Sequence, residues 1–488
     1  MPATHVTVTN PSSERTLIKA FAAIREEFKL PQDFSPEVLQ DTQRSIEQYR
    51  LPDEDATDLP FITIDPEGSM DLDQALYLEE NTPGYTVHYA IADVPHFVNP
   101  GGALDAETRQ RTQTIYLPDA RIPLHPQSLS EDAASLIADQ VRGAYVWRFD
   151  LDADGAVQKT SLQRARIKSI AKLNYVQCQA WIDGSAPPPE DERILPTLTL
   201  LKTVGLKRVE LENLRGGASL NIPDQEIEYD GGRYSLRSRP ALPVEAWNAQ
   251  ISLMTGMEAA QLMLDAKIGI LRTMPEPTAE AIAKFRLQTQ VLNAPWPEDM
   301  QYGAYLRTLD PENPQHLAIL VAATSLFRGV GYTPFDGTVP EDAVQSAIGA
   351  PYAHTTAPLR RLVDRFVLAL CLAIASDSDI PDWVRQALPE LPKLMGRGDQ
   401  IANAADRAAI DAVEAALLRD RVGEVFDAVV INGSNGKDAG EKPRVTIQIA
   451  HPPVAASATG SAQAGTRVKV KLESADILAR TVTFTIQP

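Results

Sequence analysis

Phe61-Ile62-Thr63-Ile64-Asp65-Pro66-Glu67-Gly68-Ser69-Met70-Asp71-Leu72-Asp73-Gln74-Ala75-Leu76 is the stretch from which the rest of the chain can be read. The β-branched and aromatic run Phe61 to Ile64 predicts a strand. It ends in Asp65, and a Pro/Gly/Ser loop follows. Asp71 and Asp73 then arrive two residues apart, on one side of a second extended run if Leu72 to Leu78 is a strand. Three carboxylates thus meet at a strand–loop–strand corner. Hard oxygen ligands of this kind suit Mg²⁺ or Mn²⁺, held together with substrate phosphates. Such a centre polarises a phosphate, generates a hydroxide and stabilises a leaving oxygen. The plainer alternative for an isolated Asp-x-Asp is a solvated acidic turn. The spacing does not fit a calcium-binding EF-hand loop.

A second cluster is Pro351-Tyr352-Ala353-His354-Thr355-Thr356-Ala357-Pro358-Leu359-Arg360-Arg361-Leu362-Val363-Asp364. Pro358 is a preferred first helical residue. Leu359, Leu362, Val363, Phe366, Val367 and Leu370 recur at helical spacing. Arg360 and Arg361 are therefore expected in the first turn of a buried helix. Cations there oppose the helix dipole. They make sense beside a bound anion, where free N–H groups and guanidinium forks both hold phosphate. Asp364, one turn on, can orient either arginine, and a structural salt bridge is the alternative. A third helix, about 400–420, carries Asp406, Ile410, Val413 and Leu417 three and four apart. Asp406 is then on the apolar face, where a carboxylate needs a partner or a task.

Around these pieces, residues 58–150 alternate strands and loops, with Tyr85 to Ala92 as one strand. Tyr145 to Asp150 and Gln163 to Ile170 read as a hairpin about Asp152-Ala153-Asp154-Gly155. Tyr116 lies in Ile115-Tyr116-Leu117-Pro118-Asp119, which leads into Ile122-Pro123-Leu124 and Leu129-Ser130. Tyr175 opens a helix. Amphipathic helices are expected over 193–215 and 244–271. Residues 1–56 read as helical, with Leu17, Phe21, Ile24 and Phe28 in register and Ser35-Pro36 as a helix start. They form either a small domain, of helix-turn-helix type, or a clasp on the main body. Residues 421–488 read as short strands of a small barrel. The overall expectation is an α+β chain: helical 1–56, a mixed central domain 57–420 and a C-terminal β-barrel 421–488.

The chain has 488 residues, 44% hydrophobic and 23% charged, an ordinary globular composition with room for several domains. Cys178 and Cys371 are its two cysteines. They cannot build a disulfide framework or a cysteine zinc site, so a reducing, cytoplasmic setting is expected. No signal peptide or membrane span is read from the sequence. A formal net charge of −19 argues against a protein that coats nucleic acid over its whole surface. A nucleic-acid enzyme of this charge must concentrate its cations in a channel.

The longer string T-I-D-x-x-x-x-x-D-x-D, at Thr63 to Asp73, resembles the catalytic-domain motif of the ribonuclease II / ribonuclease R (RNB) exoribonuclease family. The second cluster resembles that family's Y-T-H-F-T-S-P-I-R-R-Y-x-D. The Tyr116 segment resembles its YLP…IP…LP…LS pattern, and Ala171 to Tyr175 its A-x-L-x-Y element. Bacterial members usually carry two cold-shock domains upstream, for which residues 1–56 leave no room. The resemblance implies an RNB catalytic domain followed by an OB-fold RNA-binding domain. It implies a Mg²⁺-dependent (or Mn²⁺-dependent) hydrolytic 3′-to-5′ exoribonuclease that releases nucleoside 5′-monophosphates from single-stranded RNA, as a monomer. Asp65, Asp71, Asp73 and Gln74 would serve the metal. Gln74 stands where the family usually has a fourth acid, and offers a neutral oxygen instead. Asp73, Arg360, Arg361 and Asp406 would act in catalysis, Asp406 replacing a family glutamate. Tyr116, Tyr175 and His354 would contact RNA, Tyr116 by stacking on a base. The C-terminal domain lacks the aromatic strand used for stacking and offers Lys437, Lys442, Arg444, Lys469 and Lys471. The rival reading is an inactive RNA-binding protein of the same fold, curable by Gln74→Asp; a nucleotide hydrolase is a distant third.

Overall fold

The computed structural model describes residues 4–218, 224–239, 241–311, 313–433, 443–449, 451–452 and 454–488. Its centre is a closed five-stranded barrel. The strands are β1 (Phe61–Asp65), β2 (Gln74–Asn81), β3 (Gly84–Ala92), β4 (Val141–Leu151) and β5 (Val157–Asn174). β1 to β5 follow one another as antiparallel neighbours, and the end of β5 returns to pair in parallel with β1. This closure sets Thr63 opposite Lys172 and Asp65 opposite Asn174. Period-2 alternation gives the barrel two apolar faces. Ile62, Ile64, Leu76, Tyr89 and Trp147 join one core with three helices: α3 (Ile194–Leu214), α4 (Pro243–Ala266) and α5 (Leu362–Ala375). Phe61, Ala75, Ala90 and Val146 join a second with Leu129 and Leu359.

The loop 66–73 precedes β2, so Asp71 and Asp73 lie on a loop and not on the expected strand. Buried Leu72 sits between them as an anchor. Its N–H donates to Ser135 Oγ at 3.0 Å, and that hydroxyl donates to Met70 O at 2.7 Å. The helix expected over 244–271 stops at Lys267, which takes a left-handed conformation, and Ile268–Thr273 is a strand.

Residues 4–56 are not one separate helical unit. Thr4–Thr7 adds a strand to the hairpin Asp224–Asp230/Arg233–Arg239. Helix α1 (Pro11–Glu27) buries Leu17, Phe21 and Ile24 against the alanine face of α6 (Leu391–Leu418), whereas α2 (Pro36–Gln48) sends Val38 into the barrel's second core. The segment is a clasp over the central domain.

β6 (Val425–Asn432), β7 (Arg444–Ile449), β8 (Val454–Thr459), β9 (Arg467–Asp476) and β10 (Thr481–Ile486) form a second closed barrel in the order β6-β7-β8-β10-β9, with β8 and β10 parallel, consistent with an OB fold. Phe426 and Phe484 meet edge-on in its core, so neither is free to stack on a base. Lys469 and Lys471 lie near Asp427 and Glu473. Lys437 and Lys442 lie outside the described residues. Among the described residues no helix is long and apolar enough to cross a membrane.

Glu414 of α6 is 3% exposed, close to this barrel. Burial pushes its carboxyl from 4.5 up to about 8, against Arg407 and with Asp411 adding to it. A folded-state value above the unfolded one means that stability present in acid is lost as pH rises through about 8. Glu414→Gln is therefore expected to flatten the fall in melting temperature between pH 6 and 9. At pH 9 it should be the more stable protein, by roughly 2–4 kcal/mol at the ~1.4 kcal/mol that each pKa unit represents. Equal pH slopes for the two proteins in thermal melts would remove this role.

Candidate active site

Asp65 ends β1 half-buried, and among the described residues no side chain donates a hydrogen bond to it. Burial pushes it up to about 6 and Asp71 adds to this, while Arg360 and Lys172 pull it down. Asp73 is buried. Its Oδ1 accepts the Leu359 N–H at 2.7 Å, and its Oδ2 lies 3.3 Å from Arg360 Nε. Burial lifts Asp73 well above the carboxylate range, opposed by Arg360 and by that N–H. Asp71 accepts from Arg121 Nη1 at 2.9 Å and from Tyr116 Oη at 3.3 Å. Tyr116 and Arg121 face each other across a hairpin, Ile115–Leu117/Ala120–Ile122, so one small element supplies both contacts. Asp71 thus adds to the upward push on both Asp65 and Asp73, and Arg360 opposes it at both.

Arg360 and Arg361 precede α5, which begins at Leu362. The expected helix start at Pro358 is overridden by pairing with a remote segment: Thr114 N–H donates to Arg360 O and Leu362 N–H to Thr112 O. The turn before them is held at several peptides. Ala357 N–H donates to Asp364 Oδ1, Leu359 N–H to Asp73, and the His125 ring bonds Leu359 O at 2.9 Å. Arg361 makes a two-point pair with Asp364, both contacts 2.7 Å. Its fork is taken up by Asp364, which also holds the turn through the Ala357 N–H. Among the described residues Arg360 pairs with Asp73, and its side chain is 50% exposed. Burial works against its charge, but Asp73, Tyr116 and Asp364 together hold it above the ordinary value.

Tyr116 is 51% exposed, yet surrounding protein and Asp71 push its hydroxyl well up. Its hydroxyl reaches Asp71 while half of the residue stays open to solvent. Tyr175 follows β5 directly. Its hydroxyl accepts from Asn248 Nδ2 at 3.3 Å and senses Asp65 and Arg360. His354 lies edge-on to Tyr332 and Tyr352, with Nδ1 2.8 Å from Tyr332 Oη. Burial and three arginines keep it neutral, so it packs between tyrosines where RNA contact was expected. Asp406 is exposed. The buried face of α6 is Ala405, Ala408, Ala409, Ala412 and Val413, offset by one position from the expected stripe. Among the described residues no hydrogen bond or ion pair joins Asp406 to the aspartates.

Gln74 is also engaged by protein. Its Nε2 donates to Thr356 O at 2.6 Å, and its Oε1 accepts from Tyr89 Oη at 2.7 Å. Both ends of its carboxamide are thus held by protein. Among the described residues no three Asp, Glu, His or Cys side chains are placed to hold a cation by themselves. Mg²⁺ needs no such cage, since one or two carboxylates plus substrate phosphates commonly suffice. Asp65, with no donor of its own, and the neighbouring Asp71 and Asp73 fit that shared mode.

Ser135, His125, Arg121 and Asn248 are absent from the expected set. His125 directly follows Ile122-Pro123-Leu124; the other three carry no local signal.

Comparison with known proteins gives the following. The model of the RNB domain matches residues 53–376, and that of the RNase II-type exonuclease C-terminal S1 domain matches 424–487. Ribonuclease R of Mycoplasma genitalium is 26% identical over 398 residues, covering 79% of this chain and 54% of that protein. The chain thus spans about half the length of the curated relatives it matches. The solved structure of Mycoplasma genitalium RNase R in complex with ribose methylated single-stranded RNA superposes with a TM-score of 0.85 at 20% identity, covering 97% of this chain and 78% of that one. Yeast Ssd1, described as a pseudonuclease, superposes at 0.69 with 16% identity, covering 96% and 57%. At these identities the structures establish the fold.

Proposed function

This chain belongs to the RNB-domain family, whose members here are homologous ribonucleases, and from that membership we propose that it is a metal-dependent hydrolytic 3′-to-5′ exoribonuclease acting on single-stranded RNA. The observation that carries the reading is the convergence of Asp65, Asp71, Asp73, Arg360 and Tyr116 from segments far apart in sequence. RNA binding is supported by the neighbour solved with single-stranded RNA.

Asp65, Asp71 and Asp73 would hold a divalent cation such as Mg²⁺, which would supply Lewis-acid polarisation and a more acidic water. Tyr116 stacks on the terminal base and keeps the last phosphodiester in register. Asp65 accepts the proton of the attacking water. Arg360 places its exposed guanidinium on the charge that builds on the phosphate oxygens. Water adds its oxygen to phosphorus, the bond to the 3′ oxygen of the shortened chain breaks, and that oxygen takes a proton. The product is a nucleoside 5′-monophosphate. Cytoplasmic location and a monomeric state are part of the same proposal.

The second reading is an inactive RNA-binding member, favoured by one observation: Gln74 stands where a family acid is usual. A 5′-labelled single-stranded RNA with Mg²⁺ separates the two. A ladder of shortening products supports the exonuclease; binding without shortening supports the inactive reading. Tyr116→Ala is expected to weaken RNA binding by ~1–3 kcal/mol, the worth of one stacked base. Filter binding in EDTA checks this, and unchanged affinity would place Tyr116 outside the RNA path.

A further inference from the structure

We propose that Gln74 is a positioning residue: its carboxamide, donating to Thr356 and accepting from Tyr89, holds the turn that delivers Arg360 to Asp73. This rests on the exonuclease reading for its kinetic readout and not for its binding readout.

Asp73 and Gln74 are consecutive and grip the same turn with opposite polarity. Asp73 accepts the Leu359 N–H, and Gln74 donates to the Thr356 carbonyl. Thr356 is held again through its hydroxyl, 2.9 Å from Ser252 Oγ. Gln74 and Tyr89 are diagonal neighbours on one face of the β2–β3 ladder, since Gln74 pairs with Ile91 and Leu76 with Tyr89. Tyr89 is fully buried, and its phenol is driven well up by burial, so it stays a donor. Position 74 therefore needs one donor and one acceptor at the reach of a glutamine. An ionised carboxylate has acceptors only, and would set negative oxygen against the Thr356 carbonyl. Aspartate is also one methylene too short to span the two partners. The family's usual acid cannot be restored here by Gln74→Asp.

The test uses Gln74→Glu, Gln74→Asp and Gln74→Leu, with Tyr89→Phe as a milder variant should the others melt early. Readouts are kcat and KM on single-stranded RNA with Mg²⁺, and RNA Kd in EDTA, each as a ratio to wild type from pH 5 to 8. The charged groups nearest this network, Asp65, Asp73 and Arg360, are common to all variants. Gln74→Glu at pH 8 is expected to lose about tenfold in kcat, the worth of one hydrogen bond of ~1.4 kcal/mol, and to bind RNA in EDTA several-fold more weakly, because Arg360 is no longer held in place for phosphate. It should recover as pH falls, because the introduced carboxyl, once protonated, can donate. Gln74→Asp and Gln74→Leu should not recover, and Tyr89→Phe should lose less than tenfold. A Gln74→Asp enzyme faster than wild type, or a Gln74→Glu enzyme equal to wild type at pH 8, overturns the proposal. If wild type shows no turnover, the exonuclease reading fails by itself. RNA affinity in EDTA then decides: weakening in Gln74→Glu at pH 8 that reverses in acid supports the positioning role, and unchanged affinity overturns it.

Discussion

Asp73→Asn is expected to lower kcat by about 10³-fold or more while RNA affinity in EDTA stays within roughly threefold, because it removes transition-state stabilisation and leaves the substrate groove intact. Asparagine is isosteric, and its oxygen can still accept the Leu359 N–H that Asp73 now takes. The turn before Arg360 is thus kept. What is lost is the negative charge facing Arg360 and the cation. Burial already makes that charge expensive, so the neutral variant should be no less stable than wild type. Single-turnover assays beside filter binding and thermal melts check all three points. Retained turnover would show that Asp73 neither holds the cation nor sets Arg360.

Arg360→Met is expected to lower kcat by about 10²–10³, the roughly 2.7–4 kcal/mol attached to one preorganised donor at a developing oxyanion. Arg360→Lys should recover little, since an ammonium lacks the planar fork. Arg361→Met should behave differently. Arg361 spends its fork on Asp364, which also holds the Ala357 N–H, so its loss should lower the melting temperature first. Comparable kcat losses at unchanged melting temperature in both variants would mean that both arginines face the phosphate.

The strands around Asp65 were legible because Phe61 to Ile64 and Tyr85 to Ala92 carry strand chemistry locally, and the C-terminal barrel followed from such runs; the closure of the central barrel by the end of β5 on β1 did not. Asp65, Asp73, Arg360 and Tyr116 were legible as a set through motif strings. Their pairing partners were not. Arg360 and Arg361 looked helical by spacing, yet Thr112 to Thr114 hold them out of the helix, a contact no local pattern encodes. Asp406 was misplaced by one register step, because alanines, weak markers of hydrophobic periodicity, form the true buried face of α6. Residues 1–56 read equally as a small domain or a clasp; the apolar faces of the described residues 4–56 are shared between two cores, which is the clasp. Gln74 looked like a lost ligand; only its two hydrogen bonds reveal a donor requirement.

The most direct measurement is the mass of the product released by wild type from a single-stranded RNA with a unique 3′-terminal nucleotide, in ¹⁸O-water with Mg²⁺. Water-driven cleavage at the last phosphodiester predicts that nucleotide first, as a 5′-monophosphate carrying one ¹⁸O. A 2′,3′-cyclic or 3′-phosphate product, internal fragments, or no release from an RNA that is demonstrably bound would contradict it.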